Sequence, residues 1–327
     1  MSDTSGNILI TSAGRRVQLV RCFQRAMAKR LPEGRVLVGE SDPTWSAAAR
    51  VADGSFELPR VTDAGYESAL HELVRRERIA LVVPTIDTEL LNLSRMRDSL
   101  ASLGCVAVVC DEALVTICRD KRESDGWFRG LGFETPRIMD RDAVTFPCFV
   151  KPYNGSLSRG ARALRSADML SRDMTTDPTL MFMELLDPAE YDEYTIDAYF
   201  TRTGVLRCLV PRQRVEVRGG EISKGVARKG ALYEFLSDRL RQIPGARGCL
   251  TFQFFAARSG TRRVAIELNP RFGGGYPLSY AAGADYADWL VREYLLGEEL
   301  PSFDAWTDRT AMVRYDAEVI FTLPGTT

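Results

Sequence analysis

Val264-Ala265-Ile266-Glu267-Leu268-Asn269-Pro270-Arg271 decides the fold, because polar side chains alternate with apolar ones along a strand pattern. Successive side chains of a strand point to opposite faces, so Glu267, Asn269 and Arg271 share one face. In the preceding strand pattern, Gln253 interrupts an aromatic run and needs a polar partner across the hairpin. Carboxylate and amide oxygens suit Mg²⁺, and an adjacent arginine can bind a phosphoryl oxygen. The pattern predicts a magnesium and phosphate site; an exposed strand face ending in a turn is the alternative.

A lysine beside a loop of small residues forms the second candidate segment. Lys151 ends a short strand pattern, and the following loop over residues 153–160 contains Ser156 and Ser158. An ammonium can neutralise phosphate there while backbone amides of the loop bind its oxygens. A plain turn would have the same composition, and the loop is not a Walker sequence because GxxxxGK[ST] is absent.

The third candidate segment is an acidic linker. An apolar run over Leu180–Glu184 ends in Glu184-Leu185-Leu186, and residues 190–197 are rich in acidic side chains. Extended backbone in such a linker can pair with an adenine edge, while a carboxylate accepts from ribose hydroxyls. Alone, the segment equally fits an acidic loop before a strand.

The first third of the chain alternates strand and helix patterns, which predicts a parallel sheet covered by helices. Strand patterns cover residues 7–11, 36–40, 80–84 and 105–109, and helix patterns cover residues 17–30, 64–77 and 87–103. The first turn lacks GxGxxG, so dinucleotide binding is only a minor alternative.

Charged residues follow two strands of this predicted sheet, where ligands of parallel sheets bind. Arg15 and Arg16 follow the first strand, and Asp87 and Glu89 follow residues 80–84. We interpret them as recognition groups for an amino acid or similar zwitterion. An equally good alternative is that these residues are charges at the starts of helices, with Asp87 as the N-cap of the helix that follows.

Beyond residue 118, strand patterns follow one another with few helices between them, which predicts antiparallel sheet. Strand patterns cover residues 149–151, 161–164, 180–184, 194–200, 205–212, 250–257, 263–268 and 311–321. Helix patterns cover residues 121–131, 277–282 and 286–296. We place a domain boundary near residues 118–120.

Composition excludes several classes of function. The net charge of -1 gives no global attraction to nucleic acid or a membrane surface. A single histidine, His71, which we place on the surface, excludes histidine triads and multi-histidine metal sites. Seven cysteines without a CxxC indicate reduced, buried thiols. With no signal-peptide pattern and no run of about 20 apolar residues, we expect a cytoplasmic protein.

The order of these segments resembles the ATP-grasp superfamily, and in particular its branch of single-module proteins similar to the carbamoyl-phosphate synthase large subunit. The resemblance covers residues 7–300, and ELNPRFGGGYPLSYAAGADY, residues 267–286, is its most specific stretch. It implies a Rossmann-like α/β pre-ATP-grasp domain over residues 1–118. An α+β ATP-grasp fold would follow, with a small lid subdomain over 119–188 and a large subdomain with a C-terminal tail over 189–327.

The resemblance also implies a role for each motif residue. The nucleotide would be bound by Lys121, Lys151, Ser156, Ser158, Glu184, Leu185, Leu186 and Glu193. Two Mg²⁺ ions would be held by Gln253, Glu267 and Asn269, with Glu267 bridging them. Arg271 and Arg214 would contact phosphate or substrate, and Gly274 lies in the glycine turn that would hold the substrate carboxylate.

The implied activity is an ATP- and Mg²⁺-dependent ligase that converts a carboxylate to an acyl phosphate for attack by an amine. A single module without a glutaminase signature disfavours carbamoyl phosphate as the product. A phosphotransferase without ligation remains an alternative. A nucleotide-binding regulator without turnover also remains, although it need not keep metal ligands. Expected partners are a small-molecule carboxylate and amine, with amino acids as candidates, and a homodimer stays open.

Overall fold

The computed structural model describes residues 6–155 and 160–323, which form two compact units. Unit 1 contains residues 6–110, 284–302 and 313–323; unit 2 contains residues 111–283 and 303–312, apart from the loop gap. Ser156 and Ser158 lie outside the described residues. No helix in the described part of the chain is long and apolar enough to cross a membrane.

Unit 1 contains the predicted parallel sheet. Its strands are β1 (Asn7–Thr11), β2 (Val36–Glu40), β3 (Gly54–Glu57), β4 (Ile79–Pro84) and β5 (Val106–Ala107), in the spatial order β3-β2-β1-β4-β5. Residues 8–10 of β1 are fully buried, as expected for a strand between two helical layers. The strand order changes direction between β1 and β4, and the carboxyl ends of these strands carry the charged loops.

Helices of unit 1 follow the sequence prediction apart from one helix that was not predicted, Ala47–Val51, and two predicted helices with different bounds. They are α1 (Val17–Arg30), α2 (Ala47–Val51), α3 (Tyr66–Arg76), α4 (Asp87–Arg95), α5 (Arg97–Ala101) and a late helix, Tyr286–Leu290. The predicted helix over residues 87–103 is interrupted at Met96, and the one over residues 286–296 ends in a π-helical turn, Val291–Leu295. His71 is half-buried and contacts the hydroxyl of Ser99 at 2.9 Å.

Unit 2 contains two antiparallel sheets. The smaller has the order β6-β9-β7-β8 and is formed by β6 (Ile138–Met139), β7 (Cys148–Pro152), β8 (Arg162–Leu164) and β9 (Leu180–Glu184). The larger has the order β14-β13-β10-β11-β12-β15 and is formed by β10 (Tyr191–Phe200), β11 (Leu206–Arg218), β12 (Glu221–Ala227), β13 (Gly248–Ala257), β14 (Arg263–Asn269) and β15 (Ala311–Val313). The predicted strand over residues 311–321 is therefore too long, since it ends at Val313 and Tyr315 and Ile320 are exposed.

Five α-helices complete the described part of unit 2. They are α6 (Glu112–Arg119), α7 (Lys121–Gly130), α8 (Arg172–Thr176), α9 (Ala231–Arg239) and α10 (Tyr276–Ala281). The side chain of Asp120 caps α7 by accepting from the backbone N–H of Arg122. Phe128 of α7 packs edge-on against Phe252 and Phe254, so this helix is fixed to the larger sheet. The predicted fold class, α/β followed by α+β, is confirmed.

Candidate functional site

The hairpin of β13 and β14 carries the polar residues Gln253, Glu267 and Asn269. Its register pairs Gln253 with Glu267 and Thr251 with Asn269. Strand β14 ends at Asn269, so Arg271 lies in the following turn, where its backbone N–H donates to the Asn269 carbonyl at 2.8 Å. The guanidinium of Arg271 still reaches the side-chain oxygen of Asn269, at 3.4 Å. These side chains form a half-buried polar face, which is not the fully exposed strand face of the alternative interpretation.

Glu193 of β10 joins this face and orients two neighbours. Its Oε1 accepts from Arg214 Nη1 at 2.6 Å and from the amide nitrogen of Gln253. Because the NH₂ group of Gln253 is directed at a carboxylate, its amide oxygen is the atom left for a cation. Glu193, Arg214 and Gln253 therefore act as one cross-strand cluster.

Two lysines lie at the edge of the same face. Lys121 Nζ is 3.9 Å from Glu267 Oε1 and donates to the Gly155 carbonyl at 2.6 Å. Lys151 is only 9% exposed, and burial lowers the pKa of its ammonium to about 8. The charge of Lys121 lowers that pKa as well, whereas Glu267 and Asp125 oppose the shift. A buried ammonium with a depressed pKa is stabilised by any anion that enters beside it, and a phosphate fits this requirement.

An apolar wall borders the two lysines. Met181, Met183, Ile266, Pro136 and Ile138 line the cleft together with Lys121 and Lys151. Sulfur and aliphatic side chains pack well on a flat ring. This wall could not be predicted from the sequence, because its residues come from separate elements and have no motif of their own.

The linker after β9 has a backbone suited to a ligand. Leu186 is buried beside Tyr191 and Val264, yet within the described chain neither Leu185 nor Leu186 makes a backbone hydrogen bond. Glu184 has a different environment: Arg262 Nη1 lies 2.7 Å from its carboxylate, and the Arg137 N–H donates to it at 3.2 Å. The hydrogen bond from Arg262 lowers the pKa of Glu184. Glu184 is thus held in an internal ion pair.

A buried ion pair that the sequence analysis missed supports the glycine turn. Asp197 accepts two hydrogen bonds of 2.8 Å from Arg212, and both side chains are buried. Ser279 donates to the same carboxylate at 2.6 Å. The hydroxyl of Thr251 contacts this carboxylate and also the carbonyl of Arg271, which lies 2.9 Å away. A Cβ atom at Gly275 would lie 1.9 Å from Arg212 Nη1, so the turn passes directly over the guanidinium. For Asp197, a polar residue inside an apolar stretch was the available signal, as it was for Gln253.

The charged residues of unit 1 lie near the carboxyl ends of β1 and β4. Glu89 is buried, accepts from Thr11 Oγ1 at 2.6 Å and from the Ser12 hydroxyl, and burial raises its pKa. Arg16 Nη2 donates to the Thr85 carbonyl at 3.1 Å, whereas Arg15 is exposed. Helix α4 begins at Asp87 after the N-cap Ile86, so Asp87 is not the cap. Glu89 thus connects α4 to β1.

Two protein families match separate parts of the chain. The family described as PylC-like, N-terminal domain, matches residues 8–109. The family described as ATP-grasp in the biosynthetic pathway with Ter operon matches residues 176–317. No curated protein matches the chain.

Solved structures with the same fold are distant in sequence. The biotin carboxylase domain of Hydrogenobacter thermophilus 2-oxoglutarate carboxylase, in complex with MgADP, ADP and bicarbonate, is 15% identical, with a TM-score of 0.71 over 93% of this chain and 73% of that chain. An L-amino acid ligase from Bacillus licheniformis is 15% identical, with a TM-score of 0.62 over 89% and 74%. A Rhizobium etli pyruvate carboxylase is 12% identical, with a TM-score of 0.69 over 94% of this chain, which spans only 30% of that enzyme. Identities this low establish the fold alone.

Proposed function

We propose that the chain is a member of the ATP-grasp superfamily and an ADP-forming ligase that joins a carboxylate to an amine. The observation that carries the proposal is the polar face of the β13–β14 hairpin, with Glu267 opposite Gln253 and 3.9 Å from Lys121. A nucleotide-binding regulator would not need this set of oxygen ligands beside two lysines.

The donor set on this face fits Mg²⁺. Gln253 and Asn269 offer amide oxygens and Glu267 offers a carboxylate, which are hard ligands of the kind that this ion prefers. When bound, Mg²⁺ supplies charge neutralisation at the phosphoryl oxygens of the nucleotide. We propose two ions, because Glu267 has two oxygens and occupies the centre of the set.

The nucleotide would lie along the cleft between the lysines and the apolar wall. Lys121 and Lys151 would bind its phosphates, and Met181 and Met183 would pack on the base. The backbone of Leu185 and Leu186 supports hydrogen bonding to the edge of the base, since nothing else in the described chain uses it. Glu193 would accept from the ribose, while Arg214 holds its carboxylate in place. In this arrangement, residues 119–188 would serve as the lid over the nucleotide.

The reaction would proceed in two steps. An oxygen of the substrate carboxylate attacks the γ-phosphorus in line, the bond to the β-phosphate oxygen breaks, and ADP and an acyl phosphate form. The amine then attacks the acyl carbon, loses a proton and releases phosphate, which leaves an amide. Arg271 and the backbone amides of the Gly273–Gly275 turn, including Gly274, would bind the carboxylate and the developing oxyanion. The buried Asp197–Arg212 pair supports that turn from below.

Amino acids are the substrate class that we propose to examine first. Arg15 and Arg16 with Asp87 bring both signs of charge to the carboxyl edge of β1 and β4, which suits a zwitterion. Glu89 is buried and accepts two hydroxyl hydrogen bonds, so we assign it to positioning of the Ser12 loop.

Product analysis tests the ligase. Amino acids and other small carboxylates are screened for ADP release, each with and without candidate amines. Ligation predicts ADP, free phosphate and an amide in equal amounts, with ADP release that depends on the amine. ADP release with phosphate retained on the product would favour the phosphotransferase. If no combination of carboxylate and amine raises ADP release above the rate without substrate, the proposed ligase activity is contradicted.

The depressed pKa of Lys151 predicts a pH dependence of nucleotide binding. The free ammonium is charged below about pH 8 and loses its charge as the pH rises through that value. We therefore expect the affinity for ADP to fall between pH 7 and pH 9, because the neutral amine no longer attracts phosphate. Calorimetric titrations across this range measure the change. The Lys151→Arg variant keeps its charge and should give a flatter profile; an identical decline in both proteins would assign the effect to another group.

A further inference from the structure

A second cavity lies on the opposite face of the larger sheet from the nucleotide cleft. Tyr194 of β10 and Gln213 of β11 line it and are paired in register, whereas Glu193 and Arg214 point to the other face because strand side chains alternate. The cavity measures about 370 Å³, a volume within the range of ligand sites. Its residues all belong to unit 2.

The lining of this cavity is strongly basic. Its charged residues are Arg228, Lys229, Arg258, Arg262, Arg263 and one acid, Asp192. Arg258 binds Asp192 at 3.0 Å, and Arg262 binds Glu134 at 2.9 Å and Glu184 at 2.7 Å. The only acid of the lining is therefore already neutralised.

Arg228 and Arg263 have no such counter-ion. Arg228 Nε contacts the amide oxygen of Gln213 at 3.3 Å, and the guanidinium of Arg263 lies 5.1 Å from the Phe235 ring. Neither forms an ion pair with any residue of the described chain. Two arginines that line one cavity and have no ion-pair partner favour the binding of an anion.

The first turn of α9 adds donors at the same place. Gly230 is its N-cap and provides no side-chain hydrogen bond to the backbone amides that follow. Gly230, Ala231 and Leu232 all line the cavity. Amides at the start of a nine-residue helix favour negative charge, part of which Glu234 of the first turn and Asp308, which accepts from the Lys229 N–H at 2.7 Å, already supply. Lys229 contributes further positive charge there, with its Nζ held by the Asp304 carbonyl at 2.6 Å.

We propose that this cavity binds a small polyanion, one with at least two phosphoryl or carboxylate groups, on Arg228, Arg263 and the first turn of α9. The two guanidiniums bind one anionic group each, or share one in a bidentate manner. The backbone amides at the start of α9 bind the oxygens of a second phosphoryl or carboxylate group. This site is separate from the nucleotide cleft and does not require the proposed ligase activity.

Calorimetric titration of the metal-free 327-residue chain with pyrophosphate and with tricarballylate tests the proposal. Each probe should bind the wild-type chain, and the Arg228→Gln/Arg263→Gln variant should weaken the cavity binding by roughly 30-fold, as expected for loss of two charged donors. The Lys151→Met variant, altered in the nucleotide cleft, should retain that binding. The tighter probe identifies whether the natural ligand carries phosphoryl or carboxylate groups.

A matched pair of substitutions controls for net charge. Arg165 and Arg172 are exposed arginines of unit 2 outside the cavity, so Arg165→Gln/Arg172→Gln removes the same charge. Binding within threefold of wild type in this control supports the proposal, and circular dichroism confirms folding of all variants. Equal weakening in the control, unchanged affinity in Arg228→Gln/Arg263→Gln, loss of all binding in Lys151→Met, or no binding of either probe to the wild type would each overturn it.

Discussion

We expect the Glu267→Gln variant to lose turnover by about 1,000-fold or more, while its affinity for ADP stays within a few-fold of wild type. The substitution preserves the shape of the side chain but removes the one carboxylate of the Gln253, Glu267 and Asn269 set. An amide neither bridges two cations nor balances the charge of Lys121, 3.9 Å away. Nucleotide binding should persist because Lys151 and the apolar wall are unchanged. Steady-state ADP release and ADP titration separate the two effects.

The matched control for this variant is Glu216→Gln. Glu216 lies on β11 of the same sheet, but its side chain is half-exposed and pairs with Lys224 at 2.6 Å. An ion pair so open to solvent contributes little to stability, so turnover should match wild type. If Glu267→Gln turned over at a near-wild-type rate, Glu267 could not be a metal ligand, and the proposed site would be lost with it.

The periodicity of apolar side chains was sufficient to predict most of the helices and strands. The segments over residues 7–11, 17–30, 36–40 and 180–184 have the predicted bounds, because strong apolar runs there end at clear turn residues. Strand β12 and helix α9 were not predicted. Helix α9 follows Gly230, and its apolar residues mix with acidic ones, which weakens the helical period.

The contacts within the candidate site depend on register, which the sequence does not display. Alternation placed Glu267 and Asn269 on one face, but only the pairing of β10 with β13 brings Glu193 to Gln253. The pair of Glu184 and Arg262 joins residues far apart in the chain, with no local pattern to mark it. Single polar residues inside apolar stretches were the most informative signal, and applying it to Asp197 would have located the buried carboxylate, although not its partner Arg212, which stands among other polar residues.

We expect Asp197→Ala to destabilise unit 2 by about 3–5 kcal/mol, because it leaves the Arg212 guanidinium buried without its counter-ion. The side chains of this pair are 1% and 0% exposed, and Asp197 also accepts from Ser279 at 2.6 Å. Urea unfolding followed by circular dichroism measures the loss. Asp197→Asn keeps the volume and part of the hydrogen bonding, so its loss should be smaller, and it gives a folded variant for turnover measurements. We expect its turnover to fall as well, since the Gly273–Gly275 turn rests on Arg212.

An exposed pair of the same chemistry provides the control. Arg241 and Asp238 are 2.7 Å apart, but their side chains are 77% and 70% exposed, so Asp238→Ala should change the free energy of unfolding by less than about 1 kcal/mol. The double variant Asp197→Ala/Arg212→Met should be more stable than Asp197→Ala alone, because it removes the uncompensated charge as well as the carboxylate. A double variant no more stable than the single one would show that the loss comes from packing and hydroxyl hydrogen bonds. The buried charge of Arg212 would then have no part in it, and the support of the glycine turn would have to be assigned to Thr251 and Ser279.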